Sequence, residues 1–186
     1  MRRFLIALML FAAAPVAAQQ TQAFHSTDAG YTVQLPAGWR QMPPTEVEQM
    51  RQAGAAAGMP FTLETGYRVT DSSTGWPFVA VAWMDLGQTF TPEQFREAVA
   101  GAHEHAHQEA DGVQIDAPTW DAENRTIWSR TVMPSDGPQA PFTVTASTLH
   151  PDGGRMVVFA YYGTPGEDEA RVRADLLQIV RSLRAD

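Results

Sequence analysis

The residues best suited to chemistry lie in one run, His103-x-His105-x-His107. At about 100° per residue on a helix, His103 and His107 share one flank and His105 falls across from them. Asp111 is the next position along the shared flank. Two imidazoles four residues apart, with a carboxylate, supply the ligands that Zn²⁺ or Cu²⁺ takes. His103, His107 and Asp111 are therefore the candidate metal site. The same pattern also suits a wet helix flank whose imidazoles pair with Glu104 or Glu109. His25 and His150 stand apart in sequence and cannot be placed beside it. Nucleophilic hydrolysis finds no residues: the chain has no cysteine, no Gly-x-Ser-x-Gly elbow and no lysine for a Ser-x-x-Lys pair. Gly153-Gly154 runs into strand residues rather than a helix N-terminus, so it is not a phosphate loop. Acid pairs such as Asp116 with Asp121, or Glu167 with Glu169, have the look of ordinary surface carboxylates. The reading is of a protein without a catalytic constellation. What remains is binding. Trp39, Trp76 and Trp120 adjoin turns, where an indole either lids the core or lines a cleft for a ligand or partner, whereas Trp83 and Trp128 lie within strands and read as core.

These side chains need elements to hold them. Tyr31, Val33 and Leu35 alternate with Thr32 and Gln34, as a half-buried strand requires. Thr45 with Glu48 reads as a capping box opening a helix over about 46–57. Strands are expected over 61–69 and 78–86, joined through the turn-forming cluster 71–75. The second is apolar on both faces and so reads as central. Thr91, Pro92 and Gln94 form the start of another helix, with Phe95, Val99, Ala102 and Ala106 on one face. Further strands are expected over 113–120, 126–133, 142–149 and 156–162, with Pro118 demoting the end of the first to an edge or bulge and Asp152-Gly153-Gly154 turning the last hairpin. Val172, Leu176, Ile179, Val180 and Leu183 make the apolar stripe of a closing helix; Arg171, Arg173, Asp175, Gln178 and Arg181 take its outer face. Glu167, Asp168 and Glu169 lie in its first turn, which suits the helix dipole.

The start of the chain reads as a secretory signal over 1–18: Arg2-Arg3, an apolar run from Phe4 to Ala14, then Val16-Ala17-Ala18 before Gln19. The run is too short to span a bilayer, which takes about 20 residues, and no cysteine at the cleavage site offers a lipid anchor. Residues 19–186 then form a single α+β domain with an antiparallel sheet flanked by helices, in the periplasm or outside the cell, with no stable membrane insertion after cleavage. Without the signal, eleven arginines face 21 acids, a formal charge of −10. That balance, with no basic run, argues against nucleic acid and against anionic lipid.

Gly30-Tyr31 with Leu35-Pro36-Ala37-Gly38-Trp39 near the start, and Leu176-Leu177-Gln178-Ile179-Val180-Arg181-Ser182-Leu183 at the end, resemble the PsbP-like family. Its members include extrinsic photosystem II subunits, a eukaryotic Ran-binding factor and exported bacterial proteins. The element order between the two motifs agrees. The resemblance implies an α/β/α sandwich over nearly all of 24–184, no shared catalytic residues, and a role in binding other proteins. The function expected is that of an exported, non-enzymatic protein that binds an envelope protein or a small ligand near Trp39. The alternative is a metal-binding periplasmic protein using the histidine flank.

Overall fold

The computed structural model describes residues 21–69, 76–109, 113–133 and 140–186, the side chains of 105–109 excepted. The expected signal over 1–18 and the expected turn over 71–75 lie outside the described residues. The elements run β1 (Gln22–Ser26), β2 (Tyr31–Leu35), β3 (Arg40–Gln41), α1 (Pro44–Ala56), β4 (Thr62–Arg68), β5 (Phe78–Asp85) and α2 (Pro92–Glu109). They continue through β6 (Gln114–Ile115), β7 (Thr119–Asp121), β8 (Thr126–Val132), β9 (Phe142–Leu149), β10 (Arg155–Gly163), α3 (Glu169–Ser182) and β11 (Arg184–Ala185).

The large sheet is antiparallel in the order β3-β4-β5-β10-β9-β8-β6, with β7 also on β8; a second, three-stranded sheet runs β1-β2-β11. Because successive side chains of a strand point to opposite faces, β5 and β10 each feed two cores. Odd-numbered Val79, Val81, Val157, Phe159 and Tyr161 meet Tyr31, Val33 and Leu35 of β2 and Val172, Leu176, Ile179 and Val180 of α3. Even-numbered Phe78, Ala80, Ala82, Met156, Val158 and Ala160 meet Val47 of α1 and Phe95 of α2. The result is the expected layered α+β arrangement. Arg130 of β8 fastens α3 to the sheet through a two-pronged pair with Glu169, at 2.7 and 2.8 Å. That hydrogen-bonded carboxylate raises the arginine's pKa further. Among the described residues, no helix is long and apolar enough to cross a membrane.

Several local expectations are met atom for atom. The Thr91 amide donates to Gln94 Oε1 at 2.9 Å and the Gln94 amide to Thr91 Oγ1 at 3.3 Å, a closed capping box. Gly153 turns the β9–β10 hairpin at φ +76°, and a Cβ there would lie 2.8 Å from the Phe90 carbonyl, so both the turn and its neighbour require glycine. The strand expected over 113–120 is split into β6 and β7 on either side of Pro118.

Others are corrected. Thr45 does not cap α1: Pro43 is the N-cap and Pro44 the first helical residue, with no side-chain cap bond. Proline's fixed φ starts the helix earlier than the hydroxyl signal suggests, leaving Thr45 inside the first turn. Asp168 is not a first-turn residue of α3 but its cap, accepting from the Ala170 and Arg171 amides. Asp175 and Gln178 are half-buried rather than on the outer face. On α2, Phe95 is buried and Val99 half-buried, but Ala102 is exposed, and the side chain of Ala106 lies outside the described residues.

A candidate apolar binding trough

On the face opposite α3, the ladder registers set side chains in rows across the strands. Gly66, Ala80, Ala160, Thr145 and Ser129 form one row over five strands. Leu63, Ala82, Val158, Ser147 and Ile127 form the next. The first row holds only glycine and small side chains, and Met42 covers its Gly66 end. On one side it is bounded by Phe78 and Tyr162, stacked at 4.5 Å. Beyond the second row lies the pair Met84 and Met156, opposite each other in register.

Two hollows open over this floor. The first, about 380 Å³, lies between α1 and the sheet, with Met50, Arg51 and Gly54 as its wall and Ala80, Ala82, Val158 and Ala160 as its base. The second, about 460 Å³, lies under α2 with Phe95, Val99 and His103 above and Met84, Leu86 and Met156 below. Phe61, Ser129 and Ser147 line both, so the hollows meet in one trough. Each is within the size range of small-molecule sites. The floor carries no charge; hydroxyls of Thr145, Ser147 and Ser129 make its β8–β9 half polar, and Ala and Val its β5–β10 half apolar. Arg51 stands at the rim, its Nε donating to the Leu63 carbonyl at 3.0 Å and its guanidinium paired with Glu48. Burial lifts the Tyr162 phenol above its ordinary pKa. The floor therefore offers an uncharged, mostly apolar surface with a few hydroxyls, and the Arg51–Glu48 ion pair stands at its rim.

The tryptophans expected to bind are not brought together. Trp39, at 6% exposure, is buried in the core shared with α3, on the face opposite the trough. The Pro36–Gly38 turn folds that indole inward as a lid. Trp76, 38% exposed, stands edge-on to Phe78 and Tyr162 at 5.1 and 6.0 Å, so it extends the aromatic wall. Trp120 packs 6.3 Å from Phe95 and, with Arg96, Ala100 and Ile127, lines a smaller hollow of about 240 Å³ at the far side of α2. Of the metal candidates, His103 is half-buried and faces the second hollow. The side chain of His107 and all of Asp111 lie outside the described residues.

The fold can be set beside solved structures. The solution structure of cyanobacterial PsbP (CyanoP) from Synechocystis sp. PCC 6803 superposes with a TM-score of 0.50 at 12% identity, over 95% of this chain and 99% of that one. The fold is PsbP-like. A crystal structure of the Saccharomyces cerevisiae Ran-binding protein Mog1p matches with a TM-score of 0.45 and 11% identity, over 90% of this chain and 96% of that one. No protein-family profile and no curated protein sequence matches the chain. Within the PsbP-like fold, the trough occupies the sheet face that α3 does not cover.

Sequence reasoning passed over the trough's floor because alanine is apolar and reads as core. A signal was nevertheless present. In β5 the even positions run Phe78, Ala80, Ala82 and Met84, and in β10 Met156, Val158, Ala160 and Tyr162, whereas the odd phase holds Val79, Val81, Trp83, Phe159 and Tyr161. The even phase is bulky at its ends and small in its middle.

Proposed function

We propose that this chain is an exported, non-enzymatic protein that binds an apolar or weakly amphipathic small molecule in the trough between α1 and α2. The observation that carries the reading is the row Ala80, Ala160, Thr145 and Ser129, whose small side chains leave a hollow beneath Met50, Arg51 and Gly54 of α1. Two open hollows of about 380 and 460 Å³ adjoin there, each large enough to take a small molecule. Export rests on the signal-like residues 1–18, and its mark is a mature N-terminus at Gln19 in the envelope fraction of an expressing cell. Binding is tested by fluorescence titration with the neutral dye N-phenyl-1-naphthylamine. Saturable binding weakened about tenfold by Ala160→Leu, which fills the floor without touching α3, supports the reading. Dye binding that ignores this substitution, or no saturable binding, refutes it.

A further inference from the structure

The trough is lined with thioethers. Met50 and Met59 lie on the first hollow and Met84 and Met156 on the second. In a chain without cysteine, methionine sulfur is the softest nucleophile available to an oxidant. The four differ sharply in access. Met156 is 5% exposed and Met50 and Met84 are half-buried, whereas Met59 is 59% exposed. Met59 is also held in place. Its amide donates to the Gly54 carbonyl at 3.0 Å, closing the end of α1. Its Sδ lies 3.7 Å from the point where a Cβ on Gly54 would stand. The sulfur thus rests over the bare backbone of α1, open to solvent on one side and forming trough wall on the other.

Resting on the binding reading above, we propose that Met59 is an oxidation site through which peroxide lowers the trough's affinity for apolar ligands. A sulfur lone pair of Met59 attacks hydrogen peroxide. The S–O bond forms as the O–O bond breaks, the sulfur loses two electrons, and the peroxide is reduced to water. The sulfoxide is a strong dipolar acceptor where an apolar ligand offers no donor, so a bound ligand covers it at a cost. The change is reversible by methionine sulfoxide reductases. Met133, 41% exposed and lining neither hollow, provides an internal comparison.

The test treats the mature protein with hydrogen peroxide until mass spectrometry shows Met59 and Met133 oxidised, then repeats the N-phenyl-1-naphthylamine titration. The expected result is an affinity loss of about tenfold, also seen in Met133→Leu and reversed by sulfoxide reductases. In Met59→Leu, peroxide should leave that variant's own untreated affinity unchanged. Full Met59 oxidation with no change in dye affinity, or an equal loss in Met59→Leu, overturns the proposal while the binding reading stands. Untreated protein that does not bind the dye overturns both.

Discussion

Phe78 and Tyr162 face each other across the β5–β10 ladder with their rings stacked at 4.5 Å and 13° from parallel. The pair closes one side of the row of small residues, and Trp76 stands edge-on to both rings. An aromatic wall beside an alanine floor gives an apolar ligand a flat surface to lie against. Tyr162→Ala should therefore weaken N-phenyl-1-naphthylamine binding by about two- to tenfold, the equivalent of roughly 0.5–1.5 kcal/mol for an aromatic contact. Unchanged affinity in a folded variant would place the dye elsewhere.

The opposite face joins apolar packing to the Arg130–Glu169 pair. Leu176 is fully buried between α3 and the sheet, so Leu176→Ala leaves a partial cavity and should cost about 2–5 kcal/mol. Arg181, on the exposed side of α3 and 3.9 Å from Glu123, makes only a surface pair; Arg181→Ala should cost less than about 1 kcal/mol. Urea midpoints of the two variants measure the difference, and equal midpoints would mean that α3 does not cover the sheet.

A polar clamp at the tip of the β9–β10 hairpin predicts a pH dependence. The buried His150 lies with Nε2 3.1 Å from the Gly30 carbonyl and Nδ1 2.8 Å from Asp152 Oδ1. The Asp152 amide donates to His150 Nδ1 at 3.2 Å, and the Gly154 amide and Arg155 Nη1 donate to the Asp152 carboxylate at 2.8 and 3.2 Å. Partial burial disfavours the charged form of Asp152, but the Gly154 amide, His150 and Arg155 outweigh it and hold the carboxyl below its ordinary pKa. A carboxyl depressed on folding stabilises the native state above its unfolded pKa of about 3.9, and that share is lost as pH falls through the lower folded value. Urea midpoints of the parent should thus fall between pH 5 and 3 more steeply than those of Asp152→Asn. Parallel curves would mean that the clamp adds nothing.

The elements with strong local grammar were legible in the sequence. The Thr91–Gln94 box, the Asp152-Gly153-Gly154 turn and the stripe of Val172, Leu176, Ile179 and Val180 are each decided within a few residues, so spacing alone reveals them. Pairings of distant segments were not. β1, β3 and β11 are short strands whose existence depends on a partner: Gln22 pairs with Leu35, Arg40 with Arg68, and Arg184 with Thr32. Trp39 and Trp76 both follow or precede turns and look alike in sequence; only the long-range fold decides that one is buried in the core shared with α3 and the other stands beside Tyr162. The trough itself needs the register of five strands, which no window of sequence contains.

The central claim is that ligands enter the face between α1 and α2 and no other, and amide chemical-shift mapping tests it most directly. On titrating the ¹⁵N-labelled mature chain with N-phenyl-1-naphthylamine, the largest shifts should fall on Ala80, Ala82, Ser129, Ser147 and Ala160. Val33, Trp39 and Leu176 should stay near their free positions. Shifts centred on β2 and α3, or a spectrum that the dye leaves unmoved, would contradict the account.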